Sequence, residues 1–562
     1  MAEYLSPGVY IEETSYRSKT IEGVSTSTAG FVGPARFGPV SGQPELITSL
    51  ADFQRIFGDL EDLTFTDQDN PTVNYLAHGV RTFFEEGGRR LFVQRVFNAP
   101  SGFDIEDGIP ANHYANGNTP DGGTAATGFN IVARFPGAAG NMRLTFTLIV
   151  GRNIFRPGNT GENHILTRMG NNSLVHVRTV DTTTDPDTIA AQGAANGLMV
   201  ARRNPANGAW ELYDNDPDAT GATVTQDLSS AATPPDGLEV RPLTVLVEVA
   251  RPTAQPNEFD EPETLGEFSF IPTARTALLS TFTPNPDNRF AALTTPFALV
   301  DIDAEDRNAI TLASNLLGSD LLDSLSEEEE VHTITYTLTG GDDGELPIPI
   351  TYAGDTDFDD LTEDVLQMPL NGLLAFESVE DISIVAAPGY SASPEEDDVL
   401  GIQNALINHC ERMRYRVAVL DTPPNQTTTE ALAFRNLRSS DYAALYYPWV
   451  TVSDPRPAQG GARLSLPPSG FVAGIYARND IEHAVFKAPA NEVVRLAIDF
   501  EVLVNQAQQD LLNPNGVNCL RFFEGRGYLV WGARTISDDP EWKYISLRRY
   551  FAYMERSIDR ST

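Results

Sequence analysis

The sequence has 562 residues, with 78 Asp or Glu against 39 Lys or Arg, a formal net charge of −39. This length predicts several domains, because single cores rarely grow beyond ~250 residues. The charge argues against nucleic acid as a partner, since phosphates require a basic surface, and no apolar run reaches the ~18 residues of a membrane span.

The first 23 residues show almost no helical periodicity. They contain a turn signal followed by a short alternating run, which predicts an extended N-terminal arm. The residues that carry this prediction are Pro7, Gly8, Val9, Tyr10, Ile11 and Glu12. The same stretch lacks the basic leader and apolar core of a signal peptide, which predicts synthesis in the cytoplasm.

Residues 24–97 have the character of a folded core. The pattern predicts a strand at 31–32, helices over 49–57 and 72–86, and a strand over 90–96. Gly87 and Gly88 are expected to end the second helix.

Residues 98–380 differ from the rest of the chain in composition and charge. Clusters of Gly, Asn, Thr and Pro separate β-rich segments, including 142–150, 243–249 and 331–338, which predicts one or two β domains. This segment holds 43 acidic residues, 13 Arg and no Lys, a net charge of −30, whereas the rest of the chain carries only −9. Because like charges repel across an interface, we expect the acidic segment to face solvent.

From residue 381 the pattern alternates between β and α, which predicts a parallel sheet with helical crossovers. Predicted strands cover 382–387, 416–420, 442–450, 518–523 and 528–531, and predicted helices cover 395–413, 428–437 and 491–509, with a further helix starting at Ser469. The last helix, from Ser546, places an apolar stripe on one face, which we expect to be buried. The stripe consists of Leu547, Tyr550, Phe551, Met554 and Ile558.

These patterns together predict an α/β core domain built from residues 24–97 and 381–562. A large acidic β-rich region, residues 98–380, is inserted between its two parts, and residues 1–23 form the arm.

Few residues suggest catalysis or a cofactor. No nucleotide-binding or nucleophile motif follows the predicted strands, and Asp421, which begins a turn before two prolines, is expected to be structural. The acidic run from Asp355 lacks the glycine and the bidentate glutamate of a calcium loop, and the run 327–330 is expected to be a solvated surface. Cys410 and Cys519 are expected to be buried free thiols, so the sequence predicts no metal and no cofactor.

Both ends resemble the contractile tail sheath family of phages and contractile injection systems. The N-terminal strings are YLSPGVYIEE, IEGVSTSTAGFVGPARFGP and ITSLADFQRIFG, and the C-terminal strings are ALYYPWVTVSDP, LPPSGFVAGIYARNDIEHAVFKAPAN, LLNPNGVNCLRFFEGRGYLVWGARTIS and WKYISLRRYFAYMERSI. In these strings the residues expected in the core and at subunit interfaces are Trp531, Trp542, Arg548, Arg549 and Phe551.

The resemblance implies a structural subunit without enzymatic activity. Such subunits form six-membered rings stacked helically around an inner tube, and the stack contracts to drive the tube into a target cell. The implied partners are further copies of the chain, the inner tail tube, and baseplate and cap proteins. The implied place of assembly is the cytoplasm of a bacterial or archaeal host, and the implied product is a virion tail or an injection particle. The arm would add a strand to a neighbouring subunit.

Two further points stay open, the C-terminal continuation and the role of the insertion. Family members usually continue beyond the helix that ends at Thr562, so the sequence is expected to be incomplete, to be completed by a second sheath polypeptide, or to rely on the N-terminal arm alone. The acidic insertion also admits two alternatives, a tail-borne polysaccharide-degrading enzyme with paired carboxylates and an adhesin.

Overall fold

The computed structural model describes residues 23–102, 105–106, 109–110, 112–121, 128–180, 197–215, 217, 222–234, 236–253, 258–271, 274–300, 308–318, 325, 332–354, 370–456 and 459–561. The predicted arm, including Pro7 to Glu12, lies outside the described residues. So do the acidic runs 355–364 and 327–330.

The N-terminal part contributes three strands and two helices. They are β1 (Thr28–Gly33), β2 (Glu45–Ile47), α1 (Leu50–Phe57), α2 (Tyr75–Glu85) and β3 (Arg90–Arg95). Both helices begin at a side-chain cap, because Ser49 and Asn74 each accept a hydrogen bond from a backbone N–H in the first turn. The elements predicted for residues 24–97 are confirmed to within a few residues.

The middle of the chain is rich in strands. They are β4 (Ile105–Glu106), β5 (Ile109–Pro110), β6 (Asn116–Gly117), β7 (Asn130–Ala133), β8 (Arg143–Val150), β9 (Phe155–Arg156), β10 (Ile165–Leu166), β11 (Ser173–Thr179), β12 (Gly197–Arg203), β13 (Trp210–Tyr213), β14 (Val224–Asp227), β15 (Leu238–Ala250), β16 (Glu263–Phe268), β17 (Phe297–Val300) and β18 (Thr333–Thr337). The helices of this part are α3 (Leu278–Thr281), α4 (Arg289–Thr294), α5 (Ala309–Leu317) and α6 (Pro349–Ala353).

One long strand, β15, organises this middle part. Its first half pairs with β11 and its second half with β8 and β16, in a sheet of order β14-β13-β12-β11-β15-β8-β18. The two halves of the sheet cover separate hydrophobic cores, one around Phe146 and Phe297 and the other around Trp210 and Val240.

The C-terminal part alternates helices and strands. They are α7 (Gly372–Ala375), β19 (Ile384–Ala386), α8 (Glu396–Met413), β20 (Val417–Asp421), α9 (Thr428–Arg435), β21 (Ala443–Tyr447), β22 (Val450–Ser453), β23 (Arg463–Leu466), α10 (Ser469–Glu482), β24 (Glu492–Val493), β25 (Asp499–Phe500), α11 (Gln506–Leu512), β26 (Val517–Phe523), β27 (Gly527–Val530) and α12 (Ile545–Ser561). Short 3-10 turns lie at 138–140, 376–378, 390–392, 513–515 and 540–542.

A nine-stranded sheet joins the two ends of the chain, in the order β2-β3-β1-β19-β20-β21-β26-β27-β24. The six strands from β3 to β26 run parallel, and β1 pairs directly with β19, which lies more than 350 residues later. Helices α1, α2 and α10 cover one face and α6, α8 and α9 cover the other. The mixed α/β character predicted from the sequence is confirmed.

Two element predictions are wrong. The helix predicted over 491–509 is instead β24, β25 and the short α11, because the backbone N–H groups of Val494 and Ile498 bond to the carbonyls of Tyr528 and Thr451 on neighbouring strands. The predicted strand 442–450 is two strands, since Pro448 has no N–H for a ladder hydrogen bond.

Candidate assembly surface and the contacts that position it

Asp421 lies at the carboxyl edge of the parallel strands, where α/β sheets usually bind ligands. It is fully buried, and its carboxylate accepts hydrogen bonds from the Ser469 N–H (2.7 Å) and the Ser469 hydroxyl (2.6 Å). Burial raises the pKa of this carboxyl to about 7, although the Ser469 bonds oppose the increase. Asp421 therefore anchors the N-terminus of α10, as the structural interpretation predicts.

The crevice beyond β1 and β19, where the strand order reverses, is filled by apolar side chains. Pro34, Phe65, Tyr75, Pro388 and Tyr390 line it and leave a cavity of about 30 Å³, room for about two water molecules. This edge of the sheet therefore supports packing between the two chain ends.

Helices α2 and α10, from opposite ends of the chain, cross at glycines. A Cβ on Gly474 would lie 2.5 Å from the Phe83 carbonyl oxygen, and a Cβ on Gly470 would lie 2.9 Å from the Gly79 Cα. Since real Cβ atoms do not approach this closely, only glycine permits the contact. The crossing brings the two backbones together and fixes α2 against α10.

A buried ion pair ties the ends of the same two helices. Arg478 donates to the Glu86 carbonyl (2.7 Å) and carboxylate (2.9 Å), and it also donates to the Val493 carbonyl (2.8 Å). The two side chains are 5% and 0% exposed. Burial raises the pKa of Glu86, and Arg478 opposes that increase. The pair thus links α2, α10 and β24.

A second buried pair holds the N-terminal segment against α12. Arg549 contacts Asp480 through two hydrogen bonds of 2.6 and 3.0 Å, and the Thr26 hydroxyl donates to the same carboxylate at 2.6 Å. Arg549 also donates to the Thr26 carbonyl (3.2 Å). The N-terminal segment around Thr26 therefore meets α10 and α12 at one charged contact.

Helix α12 docks on the core through arginines. Arg548 pairs with Asp441 (2.8 Å) and packs over the Trp542 ring (4.1 Å to its centroid), while Arg556 pairs with Asp381 (3.0 Å). Each arginine on the buried face is at most 6% exposed. Charge pairs on several different elements thus position this helix.

Three of the five residues in the apolar stripe of α12 face outward, whereas Tyr550 and Met554 are half-buried, so burial of the stripe against another surface stays a prediction. Leu547, Phe551 and Ile558 are 36%, 37% and 52% exposed, and nearby Phe486 is 66% exposed. The core contacts the arginine face of α12 instead, because it offers carboxylates that pair with Arg548, Arg549 and Arg556. Grouped apolar side chains that remain exposed are typical of surfaces that bind another protein segment.

The five residues expected in the core and at interfaces do not form one cluster. Trp542, Arg548, Arg549 and Phe551 lie on or beside α12, with the Trp542 and Phe551 rings 5.2 Å apart. Trp531 follows the β26–β27 hairpin, where its ring packs against Phe523 (4.6 Å). The partners Glu86, Thr26 and Asp480 were missed, because no local spacing connects them to their arginines.

The inserted part is attached to the core by buried polar groups. Arg95, 1% exposed, donates to the carbonyls of Gly38 (3.0 Å) and Pro136 (2.8 Å). Asp343 accepts from the backbone N–H groups of Thr64 (2.9 Å) and Ala138 (2.9 Å). Burial lowers the pKa of Arg95 to about 10. These bonds fix the orientation of the insertion on the sheet.

Within the described ranges, no cluster of three or more His, Cys, Asp or Glu side chains could hold a metal ion. In the same described residues, no helix is both long and apolar enough to cross a membrane. Cys410 and Cys519 are buried free thiols, and burial raises the pKa of each thiol to about 12.

Comparison with known proteins identifies the C-terminal part. Residues 366–536 match the family model described as the phage tail sheath protein central domain. A prophage major tail sheath protein of Pseudomonas aeruginosa (strain UCBPP-PA14) is 28% identical over 187 residues, which covers 32% of this chain and 45% of the relative. The chain therefore spans less than half the length of that curated relative.

Two solved structures share similar local identity. The helical sheath of the anti-feeding prophage in its contracted state is 35% identical, covering 33% of this chain and 48% of that chain, with a TM-score of 0.28. The sheath of the extracellular contractile injection system PVC, also contracted, is 30% identical, covering 33% and 49%, with a TM-score of 0.29.

These relatives are sheath proteins, and the comparisons give no support to the polysaccharide-degrading enzyme or the adhesin. The resemblance to contractile tail sheath proteins is confirmed, and the part of this chain that carries it is residues 366–536, which match the phage tail sheath protein central domain.

Proposed function

We propose that this chain is the structural subunit of a contractile sheath, which polymerises as stacked hexameric rings around an inner tube. Contraction of the stack would drive the tube through a target cell envelope. The observation that carries the proposal is the sheath central domain over residues 366–536. The protein acts mechanically and catalyses no reaction.

The shared sheet supports the proposed domain organisation. Residues 24–97 and 381–562 form the sheath core, because β1, which also pairs with β3, pairs directly with β19 from the C-terminal part. Residues 98–380 form an outward insertion, since they have their own sheet and two separate hydrophobic cores. Residues 1–23 form the arm.

The proposed interface residues lie in the arm and around α12. The arm, Pro7 to Glu12, would add a strand to a neighbouring copy. Its roughly five ladder bonds at ~1 kcal/mol each hardly offset ~1 to 2 kcal/mol per ordered residue, so a free peptide would bind weakly. Covalent attachment gives the arm an effective concentration in the millimolar range at its binding site. Because the same contact repeats throughout the assembly, the many weak arms together stabilise the stack.

The proposed partners are further copies of the chain, an inner tail tube protein, and baseplate and cap proteins. A second sheath polypeptide that completes the C-terminal part is a further expected partner. Assembly would occur in the cytoplasm of a bacterial or archaeal host, and the product would be a virion tail or an injection particle. Neither nucleic acid nor direct insertion into a membrane belongs to this function.

Electron microscopy of the purified protein tests the proposal. We expect striated tubes with sixfold symmetry, formed by the chain alone or with its tube protein. A protein that stays monodisperse with its tube protein at every salt concentration would contradict the assignment.

A further inference from the structure

The exposed stripe of α12 lies where the chain enters the described structure. The Val24 N–H donates to the Ser557 hydroxyl of α12 (3.4 Å). Gly23 lies so close to α12 that a Cβ added there would be 2.4 Å from the Tyr553 hydroxyl. The described part of the chain therefore begins at the edge of this helix, at Gly23.

A row of aromatic rings continues from that entry point towards the stripe. The rings of Tyr553 and Tyr550 are 6.5 Å apart, and the rings of Tyr550 and Phe486 are 6.2 Å apart. Leu547, Phe551 and Ile558 then expose their side chains along the outward face. Since the buried face is occupied by paired arginines, the helix cannot rotate to bury these residues without unpairing charges.

We propose that residues 1–22 of the same chain cover this stripe in the free subunit. The segment has the reach, because 22 residues span up to ~70 Å and the 17-residue helix is ~25 Å long. About eight extended residues follow the whole helix. The segment also has a suitable face, since Leu5, Val9 and Ile11 occupy positions of the same parity and point to one side of an extended chain.

The tether favours the chain's own segment over that of a second copy. An attached segment meets the stripe at an effective concentration in the millimolar range, which is about 10⁴-fold above that of a second copy in a 100 nM solution. The role of this contact rests on the proposed function: the segment stays on its own helix until a neighbouring subunit receives it. Assembly then exchanges an intramolecular contact for an intermolecular one, and free subunits expose neither the stripe nor the arm.

Disulfide trapping tests the inference. The variant carries Val9→Cys and Phe551→Cys in the full chain, at about 100 nM with mild oxidant; the native Cys410 and Cys519 are buried and stay unreactive. We expect a disulfide within one chain, seen as a faster monomer band on a non-reducing gel. The matched control pairs Val9→Cys with Glu524→Cys, an exposed residue on the β26–β27 turn, and is expected to give little internal cross-link.

Two outcomes would overturn the inference: cross-links that form only between chains, or equal internal yields in the test and control variants. A second measurement does not depend on introduced cysteines. Deleting residues 2–20 should increase the fluorescence of the apolar dye ANS, and adding Leu547→Gln and Phe551→Gln to the deletion should remove the increase. An unchanged signal on deletion also rejects the contact. Both measurements use the monomer, so their failure is distinct from a failure to form tubes.

Discussion

The contact between Arg549 and Asp480 offers a quantitative test of how the two chain ends are joined. The side chains are 3% and 2% exposed, and the Asp480 carboxylate accepts from Arg549 and from the Thr26 hydroxyl. Asp480→Asn keeps the volume but leaves the guanidinium buried without its counter-charge. Losing one partner of such a pair costs about 3 to 5 kcal/mol, so we expect the free energy of unfolding of the core to fall by that amount.

Urea titration followed by tryptophan fluorescence measures this change. Three of the four tryptophans, Trp449, Trp531 and Trp542, lie in the proposed core, and Trp210→Phe removes the signal from the insertion. The control is Arg463→Gln, which breaks the exposed pair with Asp499 (70% and 32% exposed). An exposed pair contributes at most about 1 kcal/mol, so we expect a small effect.

The double variant Asp480→Asn with Arg549→Met tests whether the unpaired buried charge causes the loss of stability. Because it leaves no lone buried charge, its loss should be clearly smaller than the sum of the two single losses. If the losses add, or if Asp480→Asn is as mild as Arg463→Gln, the buried charge is not what makes this contact sensitive, and the reasoning fails.

Three further predictions concern the core and the arm. Gly474→Ala should destabilise the core by about 1 to 3 kcal/mol, because its Cβ would meet the Phe83 carbonyl at 2.5 Å; Gly170→Ala, which meets nothing within 4 Å, is the control in the same urea titration. The pKa of Asp421 in the folded state, about 7, exceeds its ordinary value of 3.8, so the folded state binds more protons between these values and its stability should fall as pH rises through them. Asp421→Asn should remove that slope from unfolding curves recorded at pH 5 and 7.5, and an identical slope in both proteins would contradict the assignment. Deleting residues 2–20 should abolish stable stacking in electron micrographs and leave the circular dichroism of a folded subunit; unchanged tubes would reject the arm as a linker.

The sequence predicts most elements of the core because their signals are local. Helix α2 begins at an Asn cap and ends before two glycines, and β20 is a short apolar run between two helices. The pairing of β1 with β19 joins residues more than 350 positions apart, so no local signal predicts it. The segment 491–509 was assigned wrongly because its apolar residues also fit a helical period, whereas its backbone bonds go to strands far along the chain.

The contacts that fix α12 could not be predicted from its pattern alone. Hydrophobic periodicity identified a helix and an apolar stripe correctly, but it could not say which face the core selects. That choice depends on Asp480, Asp441 and Asp381, which reach the helix from three different elements. The outward position of the stripe can therefore be inferred only when the positions of these three carboxylates are known.

The burial of charged residues also changes what the net charge of the two terminal portions implies about their contact surfaces. The two terminal portions carry a net charge of −9, which suggests nearly neutral contact surfaces. Among the described residues, nine of their arginines have buried side chains against five of their carboxylates, Glu45, Glu86, Asp421, Asp454 and Asp480. With those fourteen residues removed, the remaining charged residues of the two portions sum to about −13, because nine of their 26 basic residues are internal.

This surface charge predicts that assembly depends on salt. Copies that stack through such surfaces repel one another at low ionic strength, and screening shortens the repulsion from a Debye length of ~10 Å at 0.1 M to ~3 Å at 1 M. We therefore expect light scattering to show faster tube formation as NaCl is raised from about 50 to 500 mM, while the hydrophobic contacts at α12 are preserved. Faster assembly at low salt would mean that opposite charges meet at the interface, and repulsion between like-charged surfaces would then not govern how the copies stack.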